Sequence, residues 1–143
     1  MLPENIELEV VTPERHVLQQ TVKSVEIPGK EGYLGVLPGH APLITELGIG
    51  ILTYRSETET RFLTVIDGYA EVLPDRVIVL AELSERAEEI DVARTRTALE
   101  RAKAEVTKAD VKDPEWERAN FAVQRAMVRL LAASKTGTAG AHE

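Results

Sequence analysis

The chain has no cysteine among its 143 residues, which excludes a disulfide framework and a thiolate metal site and fits a reducing compartment. No apolar run approaches the roughly 18 residues of a membrane span. The opening segment, MLPENIELEV, lacks the basic and apolar regions of a signal peptide, so a soluble, cytoplasmic chain without direct membrane insertion is expected. Basic residues are also in deficit: 17 Lys and Arg stand against 24 Asp and Glu, a net charge of -7. Nucleic acid is therefore a poor partner, because phosphate binding needs a basic footprint. A P-loop is missing too. Gly29-Lys30 has Ser24 where the first glycine would stand and Glu31 where a serine or threonine would follow. The three histidines, His16, His40 and His142, are far apart and form no pair at metal-ligand spacing. These absences leave no catalytic residue to assign and no metal site to expect.

What is present divides the chain in two. A hydrophobic content of 43% suffices for a real core in one ordinary domain or two very small ones. Residues 1–84 carry 6 basic and 13 acidic side chains, whereas 85–143 carry 11 of each. The first part reads as short strands. IELEVVT alternates apolar Ile6, Leu8 and Val10 with Glu7 and Glu9, the period of a strand with one wet face. Further strand-like runs are VKSVEI, GYLGVL, GILTYR, RFLTVI, YAEVL and RVIVLAEL, separated by PGK, PGHAP, GIG, SETET, DG and PD. Four of nine glycines and three of seven prolines fall within residues 27–43, an ordered stretch of turns that also holds Ile27, Tyr33, Leu34, Val36, Leu37 and Leu43. Crossover helices have nowhere to fit, so an all-β sandwich or flattened barrel of about ten short strands is expected over 1–86.

Near Glu85 the period changes. Val92, Leu99 and Val106 recur every seven residues with Ala102 between, which is helical spacing. Asp113 and Pro114 then suit the N-cap and first turn of a second helix, with Glu115 and Glu117 at the positive end of its dipole. That helix is expected to reach about Ala133 with Trp116, Ala119, Val123, Ala126, Leu130 and Ala133 on one stripe. A short connection makes the pair an antiparallel hairpin over 87–134, followed by a flexible tail over 135–143. Its alanine-rich stripe buries little area, so the hairpin alone should be marginal and is a candidate two-state element.

Two sets of side chains invite a functional reading. His40 lies between Pro38-Gly39 and Ala41-Pro42, where the plain reading is a turn residue bonded to nearby backbone and the functional one a contact on a rigid loop. Arg94 and Arg101 share one helix face at a spacing of seven, and Arg125 and Arg129 share another at four. From Arg118 to Lys135 there are four basic residues and no acidic one. Solvated surface charge is the plain reading of this basic rod; a phosphate-bearing ligand or an acidic protein groove is the functional one.

The run VEIPGKEGYLGVLPGHAPL, followed by DGYAEV and by a helical segment opening IDVAR, resembles the epsilon subunits of bacterial F-type ATP synthases, equivalent to the chloroplast epsilon and mitochondrial delta subunits. The resemblance spans about residues 4 to 134 and is specific because glycine, proline and histidine positions from Pro28 to Pro42 match together. It implies a β-sandwich and a helix hairpin in a noncatalytic rotor component of a proton- or sodium-translocating complex. The sandwich would bind the gamma subunit and the c-subunit ring, with Gly39, His40, Ala41, Pro42 and Leu43 as the contact loop. The hairpin would lie folded on the sandwich or extend to the alpha and beta subunits, where Arg118, Arg125 and Arg129 would meet acidic segments and restrain ATP hydrolysis. The implied location is peripheral, on the cytoplasmic face of the bacterial plasma membrane. No cofactor is required, but regulatory ATP is implied by the family's Ile/Leu-Asp-x-x-Arg-Ala motif, which reads Ile90-Asp91-Val92-Ala93-Arg94-Thr95 here. Glu85, Ile90, Asp91, Arg94, Arg101, Arg125 and Arg129 would form that site, with Thr95 where the motif has alanine. Two other classes remain beside it: a free-standing ATP-sensing adaptor whose hairpin closes on nucleotide, and a generic β-sandwich adaptor.

Overall fold

Alternating patterns in the first part of the chain become seven strands: β1 (Ile6–Val11), β2 (His16–Val22), β3 (Ser24–Gly29), β4 (Gly32–Val36), β5 (Leu43–Arg55), β6 (Thr60–Leu73) and β7 (Arg76–Arg86). A 3-10 turn, η1 (Ala87–Glu89), leads into helices α1 (Val92–Lys108) and α2 (Pro114–Ala141). The computed structural model describes residues 2–141, so His142 and Glu143 lie outside the described residues. Hydrogen bonding links the strands in the order β2-β1-β7-β6-β5-β3-β4. All pairs are antiparallel except β1 with β7, which run parallel. All seven strands contribute to one aliphatic core, in which Ile6, Leu8, Val10, Ile27, Leu52, Leu63 and Val65 are fully enclosed. Each such side chain contributes about 1.5–3 kcal/mol through removal from water.

Seven strands stand where about ten were expected, and two of the anticipated breaks are bends inside continuous strands. GIG lies within β5 and DG within β6. At these positions the inward phase shifts by one residue, from Leu47 to Leu52 and Tyr54 in β5 and from Leu63 and Val65 to Ala70 and Val72 in β6. The shift lets one long strand keep its apolar face inward around the fold. Asp67 (φ 56°) and Gly68 (φ 115°) make the bend in β6. A Cβ on Gly68 would stand 2.9 Å from Ala81 Cα and closer still to the Leu80 carbonyl, so only glycine fits. Gly50 in β5 is enclosed in the same way, with Tyr33 Oη 2.5 Å and Pro28 Cβ 2.7 Å from where its Cβ would be. Pairing of β3 with β5 is irregular beyond Glu26, and the Ile51 amide donates instead to Tyr33 Oη at 3.0 Å. Proline and tyrosine of the turn-rich stretch thus complete the sheet rather than interrupt it.

The helices form the expected hairpin. Val92, Leu99 and Val106 are half-buried in α1, with Thr95 and Ala102 buried. Ala119 and Ala126 of the anticipated α2 stripe are buried, and Trp116, Val123, Leu130 and Ala133 are half-buried. Helix α2 has a second apolar face that sequence periodicity did not separate. Val128 and Ala132 join Ile51, Ile66, Ala87 and Ile90 in a small cluster on the outer side of β5 and β6, flanked by Phe62 and Leu83. Helix α2 is therefore the one seated on the sandwich, and α1 packs chiefly on α2. Its expected end near Ala133 is corrected to Ala141. The Ser134 and Thr136 hydroxyls donate to the Leu131 and Ala132 carbonyls within the helix, and the Lys135 ammonium lies 5.9 Å from the Phe62 ring centre.

Candidate functional site

The junction between sandwich and hairpin gathers several of the singled-out residues. Glu85 stands on β7 opposite Thr64 of β6, whose Oγ1 accepts from the Glu85 amide at 3.0 Å. Its carboxylate meets Arg129 of α2: Nη2 donates to Oε2 at 3.1 Å. Nε lies 2.8 Å from Oε1 without hydrogen-bond alignment, so the directed contact is the Nη2 bond. Ile90 is buried under α2 beside Val128 and Ala132. Asp91 caps α1, its carboxylate accepting from the Arg94 amide at 3.1 Å. The Thr95 hydroxyl donates back to the Asp91 carbonyl at 2.7 Å. Thr95 is buried, and its extra polar atom is satisfied within its own helix. Arg94 and Arg101 are exposed and Arg125 is half-buried. Among the described residues none of these three forms an ion pair, nor does Arg118. The structure thus joins Glu85 to Arg129 and sets Ile90 and Asp91 at the start of α1, while leaving three guanidinium groups uncommitted.

A groove of about 1120 Å³ opens beside this junction, between the hairpin and the sandwich. Tyr33, Ile49 and Gly50 line its sandwich side, and Leu99, Met127 and Leu131 are among the helix residues facing them. Met127 and Leu131 are about half exposed, so the apolar surface of α2 is only partly covered by the docked arrangement.

At the other named locus, the loop before β5, backbone bonds fix the chain. The Gly39 amide donates to the Pro74 carbonyl at 2.7 Å and the His40 amide to the Leu37 carbonyl at 3.1 Å. His40 Nδ1 lies 2.7 Å from the Ala41 carbonyl, and since a carbonyl only accepts, that nitrogen carries the proton. Ala41 and Pro42 are exposed and Leu43 turns inward against the core. Leu37 and Leu2 stand exposed at the same end, with Leu2 Cδ2 beside Gly39. The result is a rigid, solvent-facing rim with an apolar component.

Sequence reasoning missed a set of ionic contacts around η1. Arg15, in the β1–β2 turn, grips Glu89 with two parallel bonds, Nη1 to Oε2 and Nη2 to Oε1, both 3.0 Å. Arg61 of β6 donates to Glu59 at 2.9 Å and reaches Glu88 at 3.4 Å. The Arg15 guanidinium, with the amide and side chain of Arg86, lowers the Glu89 carboxyl to about 2. The same bond raises Arg15. The partners are 74 residues apart; only the adjacent acids Glu88-Glu89 at the change of period signalled the locus.

Comparison with known proteins follows this division of the chain. The β-sandwich domain of the ATP synthase delta/epsilon chain matches residues 5–87, and the long α-helix domain of the same chain matches residues 88–134. The ATP synthase epsilon chain of Solibacter usitatus is 48% identical over 135 residues, covering 94% of this chain and 99% of the relative. That of Syntrophobacter fumaroxidans is 48% identical over 136 residues, covering 94% and 100%. Among solved structures, a chain of the Euglena gracilis mitochondrial ATP synthase, in an assembly of OSCP, F1 and c-ring, superposes with a TM-score of 0.77 at 26% identity, covering 94% of this chain and 83% of that one. With both domains matched in order and relatives aligned nearly end to end, the chain belongs to the ATP synthase delta/epsilon family.

Proposed function

We infer that the chain is a noncatalytic central-stalk subunit of an F-type ATP synthase, coupling the gamma subunit to the c-subunit ring and restraining ATP hydrolysis through its hairpin. The observation that carries this reading is the tandem match of sandwich and long-helix domains across residues 5–134. The relatives' full-length coverage favours it over a free-standing adaptor. The rigid rim formed by Gly39, His40, Ala41, Pro42 and Leu43 suits a fixed docking surface for the rotor, because its shape is set by backbone bonds before any partner arrives. The hairpin suits a movable element, since among the described residues α2 is held to the sandwich by a small cluster, one arginine–carboxylate contact and Lys135 over the Phe62 ring. When extended, its uncommitted Arg118 and Arg125, joined by Arg129 on release from Glu85, would face acidic segments of the alpha and beta subunits. The subunit would sit at the cytoplasmic face of the bacterial plasma membrane as a peripheral part of the complex.

ATP is proposed as a regulatory ligand at Glu85, Ile90, Asp91, Arg94, Arg101, Arg125 and Arg129. Three guanidinium groups without ion pairs among the described residues offer charge for a polyphosphate. Calorimetry should give binding heat that Arg94→Ala abolishes; no heat in the parent chain would end the ATP proposal. The functional assignment itself is tested by affinity capture of the tagged chain from its own cells. Gamma and c subunits should co-purify, and their absence would overturn it.

A further inference from the structure

We propose that Arg15 and Glu89 form an ionic latch that holds the linker η1 against the sandwich and thereby sets how readily the hairpin leaves it. The inference rests on the hairpin being the movable element of the proposed function, and it names a contact that biases the movement.

The ionic contacts run from a fixed point on the sandwich to the linker beneath α2. Arg15 closes a turn stapled by Thr12: the Thr12 amide donates to the Arg15 carbonyl at 2.9 Å, and the Thr12 hydroxyl accepts from the Arg15 amide at 3.2 Å. The arginine backbone is thus anchored independently of the helices. Its guanidinium fork holds Glu89 in the bidentate geometry that only arginine offers a carboxylate. Glu89 Oε1 also accepts from the Arg86 amide at 3.1 Å and from Arg86 Nε at 3.2 Å. One carboxylate therefore ties the β1–β2 turn, the end of β7 and η1 together. A second tie, Arg61 to Glu88, holds the same turn from β6.

The linker so fixed carries the hairpin's footing. Ala87 and Ile90 are buried on either side of Glu88 and Glu89, and both pack in the cluster with Val128 and Ala132 of α2. If η1 lifts, those two side chains withdraw from beneath the helix, so the ionic contact and the apolar one open together. The partners remain partly exposed, 43% for Arg15 and 32% for Glu89. Such a contact adds a modest bias suited to a switch rather than a lock.

Amide hydrogen exchange on the full chain in isolation tests the latch. Arg15→Gln removes the charge and leaves the Glu89 bonds to Arg86 intact. It should accelerate exchange in η1 and α2 about fivefold while leaving sandwich amides in β5 and β6 unchanged. Arg15→Lys, which keeps the charge without the fork, should fall between parent and Arg15→Gln. High salt should bring the parent close to the Arg15→Gln rate. Exchange in α2 within twofold of the parent for Arg15→Gln, or sandwich amides accelerating in step with the helices, would overturn the proposal. Failure of the proposed function reads differently: hydrolysis by the assembled complex would ignore hairpin removal while the exchange result persisted.

Discussion

Among the described residues the sandwich core draws 19 buried residues from all seven strands, whereas six buried residues make the cluster beneath the hairpin, two of them alanine. The sandwich is linked from β2 to β4 by strand ladders, and only glycine fits at position 68 of the bend in β6. The hairpin sits on it through α2, the buried Ile90, the Glu85–Arg129 contact and the ionic ties of η1. The sandwich has an extensive core of its own; the hairpin leans on it. The two regions should therefore open separately, the hairpin at lower cost than the sandwich.

The largest expected effect comes from damaging the stronger partner. Leu63 is fully enclosed in the main core, so Leu63→Ala should cost about 2–5 kcal/mol. The urea midpoint of the whole molecule should fall, with helix signal lost no later than sheet signal. Val128→Ala, in the small cluster, should cost about 1–3 kcal/mol. Its effect should be confined to the helices, seen as faster amide exchange in α2 with an unshifted sheet transition. A sheet transition that falls equally would dissolve the contrast between the regions.

The smallest effect is electrostatic and its sign is fixed. Glu89 titrates near 2 in the folded chain against an ordinary 4.5. Its contribution is therefore complete above about 4.5 and is lost as pH falls through about 2. Arg15 and Arg86 face the carboxylate, and Glu85 lies near enough to Arg15 to influence it. An NMR titration should place the Glu89 carboxyl well below the ordinary carboxylate range. In Arg15→Gln it should move back toward 4.5, and an unmoved value would remove Arg15 as the cause.

Which parts of this contrast could be read from sequence follows from the range of the interactions. The alternation of Ile6, Leu8 and Val10 and the seven-residue recurrence of Val92, Leu99 and Val106 are local signals, and they located the sandwich and hairpin correctly. Glycine was harder to read. Gly50 and Gly68 look like strand breaks in one dimension, yet they lie inside continuous strands, where a tyrosine or a neighbouring strand occupies the space of their missing side chains. The second face of α2, through Val128 and Ala132, was hidden because Val128 and Ala132 lie beside the stripe of Ala119, Val123, Ala126 and Leu130, and helical spacing alone does not separate two adjoining apolar faces. Asp91 was legible as part of a motif, and its capping geometry follows from its position before α1. The Arg15–Glu89 pair was not legible, since no local pattern links residues 74 positions apart.

The proposed function has the hairpin restrain the catalytic work of a complex to which the sandwich binds. Its most direct test is ATP hydrolysis by the assembled ATP synthase carrying this chain truncated after Ala87. The truncated chain should still assemble through its sandwich, and hydrolysis should rise above that of the complex with the full chain. An assembled complex whose hydrolysis is unchanged by the truncation would contradict the claim.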